Sequence, residues 1–271
     1  MEGATEKRDE VRSEAAGGNG IDPDELRAAI GAGRLNLYFQ PIVSLTDRSA
    51  TMLEALPRWP TLGQGILAPS DFIEVAESSG LLDELERWAI DAAFRQLSRW
   101  DSGVAAELTI SLNLSERHVY ETDVAEAVRA AAEKRGVAAR RLGFEINEAA
   151  LVGAGGRSLE KLRALAELGV ALTIDDYAGR VSAEVLGELP TTALKISRQI
   201  VAGIPDDRSR VEAAREAVER GRELELAIIA SGVEGPGQLA SLRDLGCRYG
   251  QGFLISLPMP AEVLEERMAP R

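Results

Sequence analysis

Two residue types that build many active sites are almost missing from this chain of 271 residues: it has one cysteine, Cys247, and one histidine, His118. A single thiol closes no internal disulfide, and one thiol with one imidazole assembles no Cys/His metal centre, so any metal must rest on oxygen ligands. No run of about 18 apolar residues occurs, and the N-terminus is charged where a secretory signal would be apolar. The chain is therefore expected in the cytoplasm, without membrane association. An excess of positive charge is missing too, since 31 Lys and Arg stand against 44 Asp and Glu, a formal net charge of −13. That balance argues against a binder of nucleic-acid polymers, whose phosphates are held mainly by Lys and Arg. It leaves room for a small phosphate ligand bridged to carboxylates by divalent cations, which reverse the sign of the local field.

What is present is an ordinary globular composition, 45% hydrophobic and 28% charged, able to bury a large core. Residues 1–22 are rich in Glu, Arg, Ala and Gly without apolar periodicity and end near Gly17-Gly18-Asn19-Gly20, which reads as a disordered tail. Asp22-Pro23-Asp24-Glu25-Leu26 then has the form of a capped helix start, so the folded domain is expected over 23–271. Eight apolar, β-rich runs follow: Leu35–Val43, Thr51–Arg58, Leu108–Leu114, Leu142–Ile146, Ala171–Asp175, Ala193–Ile196, Leu226–Ala230 and Tyr249–Leu254. Helical patterns alternate with them, most plainly over Leu82–Trp100, where Leu82, Leu85, Ala89, Ala93 and Leu97 share one face. Shorter ones occur at Leu159–Leu168 and Val211–Val218. Repeated βα units imply an α/β fold with a largely parallel sheet, and eight of them over this length favour a single (β/α)8 TIM-type barrel. An open doubly wound sheet is the alternative, weakened by the lack of a glycine-rich phosphate loop after the early strands.

Polar residues gather at the ends of the expected strands: Glu54, Asn113, Glu145, Asp175 with Asp176, Lys195 and Ser231. In a barrel the C-terminal strand ends converge on one rim, where catalytic residues of this architecture sit. Asp175-Asp176 taken alone reads equally as a helix N-cap, and Glu54 as a partner of Arg58. Four carboxylates and an amide on one rim, however, repel one another unless cations neutralise them, and Mg²⁺ or Mn²⁺ suits oxygen ligands.

Glu54-Ala55-Leu56 followed by Pro57-Arg58-Trp59 resembles the signature of the EAL family of cyclic di-GMP phosphodiesterases. The resemblance runs from about residue 24 to the C-terminus, through Tyr38-Phe39-Gln40-Pro41-Ile42-Val43, Ser111-Leu112-Asn113-Leu114-Ser115 and Phe144-Glu145-Ile146-Asn147-Glu148. It continues through Asp175-Asp176, Leu194-Lys195-Ile196, Gly232-Val233-Glu234 and Gln251-Gly252-Phe253 in the same order and spacing. It implies a barrel that binds cyclic di-GMP across its rim with two divalent cations on the scissile phosphate and a linear dinucleotide as product. By the same resemblance Glu54, Asn113, Glu145 and Asp175 match first-metal ligands, and Asp176 matches a second-metal residue. Gln40, Arg58, Glu234 and Gln251 match ligand contacts, Lys195 matches the lysine near the attacking water, and Glu148 matches the acid that anchors the loop after the two aspartates.

Two departures bear on activity. Where the family has Glu-Gly-Val-Glu this chain has Ser231-Gly232-Val233-Glu234, and where it has Lys-Ile-Asp this chain has Lys195-Ile196-Ser197. A serine hydroxyl neither accepts the proton of an attacking water at neutral pH nor supplies the missing negative charge. The first-metal site is thus expected intact, the second weak, and the chain a degenerate member that binds cyclic di-GMP or a protein partner with little or no hydrolysis. An active phosphodiesterase with a substitute base such as Glu234, and an interaction scaffold with a vestigial site, are the alternatives. The loop Tyr177-Ala178-Gly179-Arg180-Val181-Ser182-Ala183 also departs from the family pattern, in a region that often supports pairing, and a homodimer is plausible on the resemblance. Outside the site, His118 is expected to face solvent, Cys247 to be a small buried residue, and Glu212–Glu225 to be a solvated helix face. Trp59 is left between core packing and base stacking, while Trp88 and Trp100 are expected in the core.

Overall fold

The computed structural model describes residues 20–101, 105–117, 123–152 and 156–268. His118 and most of the expected N-terminal tail lie outside them. Among the described residues ten strands form one sheet: β1 Asn36–Ser44, β2 Ala50–Thr61, β3 Gly65–Leu67, β4 Thr109–Leu114, β5 Leu142–Asn147, β6 Ala171–Tyr177, β7 Ala193–Ile196, β8 Ala227–Ala230, β9 Tyr249–Gly250 and β10 Met259–Pro260. Eight of them close a ring in the order β1-β9-β8-β7-β6-β5-β4-β2, with β2 returning to β1. The strands from β2 round to β9 run parallel through β4 to β8, whereas β1 is antiparallel to both of its ring neighbours. The tight turn after Ser44 leaves no length for a crossover helix, so β1 and β2 can only form a hairpin.

All eight expected strands are present. Tyr249–Leu254 shortens to Tyr249–Gly250 because the chain turns at Gly252, whose carbonyl accepts from the amides of both Ile255 and Ser256. β3 folds back on β2, pairing Trp59 with Leu67, and β10 pairs with β1 at Tyr38 and Phe39. Both are too short to show an alternating pattern.

Moving round the ring, Glu54 pairs with Ser111, Asn113 with Glu145, and Asn147 with Asp175. Asn113 and Glu145 thus stand level, while Asn113 lies two residues beyond the partner of Glu54 and Asp175 is level with Asn147, two residues beyond Glu145, offsets that belong to the stagger of a closed barrel. Below the rim the interior holds a small apolar layer of Ile42, Ala193 and Ile229, with Met52, Ala227 and Tyr249 against it. The larger core lies between the strands' outer faces and the helices. The helix Leu82–Arg99 buries Leu82, Leu85, Ala89, Ala93 and Leu97, the stripe expected from its spacing. Phe39 meets Trp100 there at 5.1 Å between ring centroids.

A separate cluster joins the N-terminal helix Pro23–Gly31 to the helix Pro69–Ser78, and Trp59 sits in it edge-on to Phe72. Trp59 is therefore core, with 2% of its surface exposed, and takes no part in base stacking. Cys247 is buried, and burial pushes its thiol up to about 12, as expected of a small inert core residue. The helix Arg208–Glu223 buries Ala214, Ala217, Val218 and Gly221 and turns its charged residues outward. Among the described residues no helix is long and apolar enough to cross a membrane.

Candidate active site at the barrel rim

Lys195, on β7, is buried inside the barrel, and its ammonium donates to Glu54 Oε2 at 2.8 Å and to Glu145 Oε2 at 2.5 Å. Asp175 Oδ1 stands 3.9 Å from the same nitrogen. Glu54 also accepts from Asn113 Nδ2 at 3.0 Å and from Gln251 Nε2 at 2.7 Å, and Gln251 donates to Gln40 Oε1 at 3.2 Å. Seven of the residues expected at the site, on seven different strands or strand ends, are thereby brought into one network. Gln40 reaches it from the middle of β1, opposite Glu54, because that strand is antiparallel.

The electrostatics follow from burial. Burial opposes ionisation of Glu54, but Lys195, Asn113 and Gln251 outweigh it and hold the carboxyl below its ordinary range. Glu145 is fully enclosed, and burial with the neighbouring Glu54 charge pushes it up to about 8, Lys195 only partly offsetting them. Asp175 is raised by burial as well, with Lys195 acting against it. Burial alone would favour loss of the Lys195 proton, yet Glu145, Glu54 and Asp175 raise its pKa well above that of a free lysine.

Asp175 and Asp176 sit at a break in the β6–β7 register between Ile174 and Tyr177, and Asp176 has φ of +51°. In an unbroken strand, neighbours face opposite ways; the bulge re-aims Asp176 along the same rim as Asp175. Asp176 Oδ1 accepts from Ser197 Oγ at 2.5 Å, and the same hydroxyl caps the short helix after β7 by accepting from Gln199 N at 3.3 Å. The aspartate pair is thus not a helix cap, and Ser197 is.

Ser231 follows β8 and lines a cavity of about 120 Å³ with Gln40, Glu54, Arg198, Glu234, Gln251 and Phe253. Glu234 is half-exposed and accepts from Arg198 Nη2 at 2.6 Å, and the Arg198 guanidinium lies 5.8 Å over the exposed Phe253 ring. Arg198 and Phe253 were not expected here. Arg198 lies across Gly232, where a Cβ would come within 2.4 Å of its Cγ, and a Cβ on Gly252 would meet the Val233 backbone at 2.2 Å. Gly-x-x and Gln-Gly-x segments that lean on each other in this way are the signal that could have marked the cavity.

Arg58 is not the partner of Glu54: its guanidinium donates to Pro57 O at 2.9 Å and lies 5.7 Å over the Tyr38 ring. Glu148 is fully buried away from the cluster. Its carboxylate accepts from the amides of Ala178, Arg180 and Val181 at 2.8, 2.6 and 3.0 Å, which pins the loop after the two aspartates.

The donor set is one of oxygens, which suits a hard cation. Glu54, Asn113, Glu145 and Asp175 offer oxygen ligands, and Glu145 Oε1 is buried without a hydrogen-bond partner. Among the described residues no three acids are arranged to hold a metal ion as they stand; Glu54, Glu145 and Asp175 instead surround the Lys195 ammonium. Beyond Asp175, the adjoining half offers Asp176 with the hydroxyls of Ser197 and Ser231.

A family model described as the EAL domain matches residues 24–258. The chain belongs to the EAL domain family. The cyclic di-GMP phosphodiesterase NbdA of Pseudomonas aeruginosa is 37% identical over 244 residues, covering 90% of this chain and 31% of that protein. The bifunctional diguanylate cyclase/cyclic di-GMP phosphodiesterase MucR of the same organism is 34% identical over 241 residues, covering 89% of this chain and 35% of that protein. This EAL domain thus spans about a third of the length of those relatives. A solved structure of the PaMucR phosphodiesterase in complex with c-di-GMP superposes with a TM-score of 0.85 at 34% identity, over 89% of this chain and 98% of that one. The EAL enzyme Bd1971 in its cAMP and cyclic-di-GMP bound form superposes with a TM-score of 0.84 at 25% identity, over 91% and 68%.

Proposed function

We propose that this EAL domain acts in signalling by holding cyclic di-GMP across the rim with one divalent cation, Mg²⁺ or Mn²⁺, and with little or no hydrolysis. The observation that carries the reading is the contrast between the two halves of the rim. On one side Glu54, Glu145, Lys195 and Gln251 are buried and form a connected network that extends to Asp175 and to the exposed Asn113. On the other, serines stand at 197 and 231, and the hydroxyl of Ser197 is already spent on Asp176 and Gln199.

In this reading Glu54, Asn113, Glu145 and Asp175 hold the cation. Bound there, it neutralises the carboxylates and offers open positions to a phosphodiester oxygen. Lys195 keeps Glu54 and Glu145 aligned, Gln40 and Gln251 fix the height of Glu54, and Arg58 and Glu234 contact the ligand from the rim. The hydroxyl of Ser231 takes no proton from water at neutral pH, Glu234 beside it is paired with Arg198, and loss of a general base costs about 10²- to 10⁴-fold. What the retained complex controls, through a protein partner or a second copy of the chain, follows from binding.

The test is to incubate near-stoichiometric protein with cyclic di-GMP and excess Mg²⁺ or Mn²⁺, following substrate and linear product by chromatography beside a calorimetric titration. Saturable binding without product over many hours is expected, with binding lost in Glu54→Ala. Product that disappears in Glu54→Ala would overturn the non-catalytic reading in favour of a phosphodiesterase with a substitute base. Absence of binding would leave an interaction scaffold.

A further inference from the structure

On the flank of the barrel, beside the β1–β2 turn, a cavity of about 240 Å³ lies between that turn, the helix Pro236–Asp244 and the C-terminal helix Ala261–Met268. Its walls are apolar, with Val43, Leu45, Leu239, Ile255, Met259 and Leu264 among them. Among the described residues its charged lining is three arginines, Arg48, Arg243 and Arg267, with no acid. In a chain with 44 acids against 31 bases, that segregation is opposite to the overall balance.

The arginines are not equivalent. Arg243 Nε donates to Leu45 O at 2.6 Å and so helps build the wall. Arg48 is held at the turn by a hydrogen bond from its backbone N–H to Ser44 O, with φ of +62°, and Arg267 is exposed near the end of the last helix. Among the described residues no ion pair takes up Arg48 or Arg267. An apolar trough edged by guanidinium groups complements a molecule that is apolar along its length and anionic at one end, because guanidinium binds carboxylate through paired hydrogen bonds. At roughly 30 Å³ per heavy atom the volume holds a tail of about eight atoms.

The trough and the rim share a wall. Gln251 touches Glu54, Phe253 lines the rim cavity, and Leu254, Ile255 and Ser256 line the trough, all within six residues. Ser256 O also accepts from Gln40 Nε2 at 2.9 Å, and Pro41, next to Gln40, lines the trough. A molecule seated in the trough presses on the segment that positions Gln251 and Gln40.

We propose that this flank cavity is a second ligand site, for a medium-chain alkyl carboxylate whose headgroup lies on Arg48 and Arg267, and that its occupancy is coupled to the rim through Gln251–Ser256. The coupling, unlike the site, rests on the reading that the rim binds cyclic di-GMP, and the two are measured separately.

Calorimetric titration of the full chain with decanoate, with decanol as the neutral control, tests the site. Saturable 1:1 binding of decanoate is expected, weakened about tenfold in Arg48→Asn with Arg267→Gln and absent in Leu254→Trp, which fills the trough. Asparagine is chosen at 48 because it tolerates positive φ. No saturable binding, equal binding of decanol, or unchanged affinity in the arginine variant at wild-type melting temperature overturns the site. A wild-type dimer in light scattering that the arginine variant converts to monomer also overturns it, making the trough an interface between copies. For the coupling, saturating decanoate is expected to change cyclic di-GMP affinity about fivefold or more, and an identical affinity overturns it.

Discussion

Lys195 donates to both Glu54 and Glu145 and stands 3.9 Å from Asp175, so one ammonium faces three carboxylates inside the barrel. Lys195→Met removes that charge and leaves Glu54 and Glu145 buried without their counter-ion. The expected cost is about 3–5 kcal/mol in chemical denaturation, because an uncompensated buried charge is expensive. Excess Mg²⁺ should restore part of it, since the cation would take over the neutralisation. The two serines behave differently. Ser197→Asp alone puts a carboxylate within hydrogen-bonding distance of Asp176, a repulsion that a second cation relieves. Ser197→Asp with Ser231→Glu restores both that charge and a proton acceptor, and linear product should rise by about 10²-fold or more over wild type in the chromatographic assay. No gain, with an unchanged melting curve, would show that the serines are not the cause of low turnover.

The helices Leu82–Arg99 and Val124–Arg135 meet at Asp91, whose carboxylate accepts from Arg95, Lys134 and Arg135. Burial acts against ionisation of Asp91, and the three cationic donors outweigh it and hold the carboxyl far below the usual range. A carboxyl with a depressed folded-state pKa contributes stability that is fully present above its unfolded value, about 3.9, and is lost as pH falls through the folded value. Asp91→Asn should therefore cost about 1 kcal/mol at pH 7, with the difference from wild type shrinking below pH 4. Urea midpoints at pH 7 and pH 3 check it, and a constant difference would contradict the linkage. The loop after β6 is held by one side chain in the same sense. Glu148 satisfies three amides, so Glu148→Ala should loosen residues 178–181, read as faster amide exchange there than in β6.

At the scale of the molecule the barrel is sealed at the join between its first and last parts. β10 pairs with β1, Leu264 of the C-terminal helix is buried, and Glu265 accepts from Trp100 Nε1 at 2.6 Å. Deletion of 259–268 is expected to abolish cooperative thermal unfolding, because it bares the outer face of β1. A chain beginning at Gly20 should keep its melting temperature, since the apolar cluster at that end is complete from Ile21, which packs on it, and Asp22 caps the first helix. A marked drop in that second variant would show that residues 1–19 contribute to the fold.

The eight barrel strands and the inward stripe of Leu82–Arg99 were legible in the sequence because period-2 and period-3.6 patterns are local. The rim acids were legible because a parallel barrel brings strand ends together whatever the detailed packing. The sequence by itself determined the fold class, the oxygen-only donor set and the serines at 197 and 231. Only the tertiary structure decided that β1 enters antiparallel, which sets Gln40 opposite Glu54, and that a bulge turns Asp176 to the rim beside Asp175. It also decided that Trp59 is core, that Arg58 rests on Tyr38 rather than Glu54, and that Arg198 lies over Phe253. Those are contacts between segments far apart in the chain, set by sheet stagger and side-chain shape, and no local pattern records them.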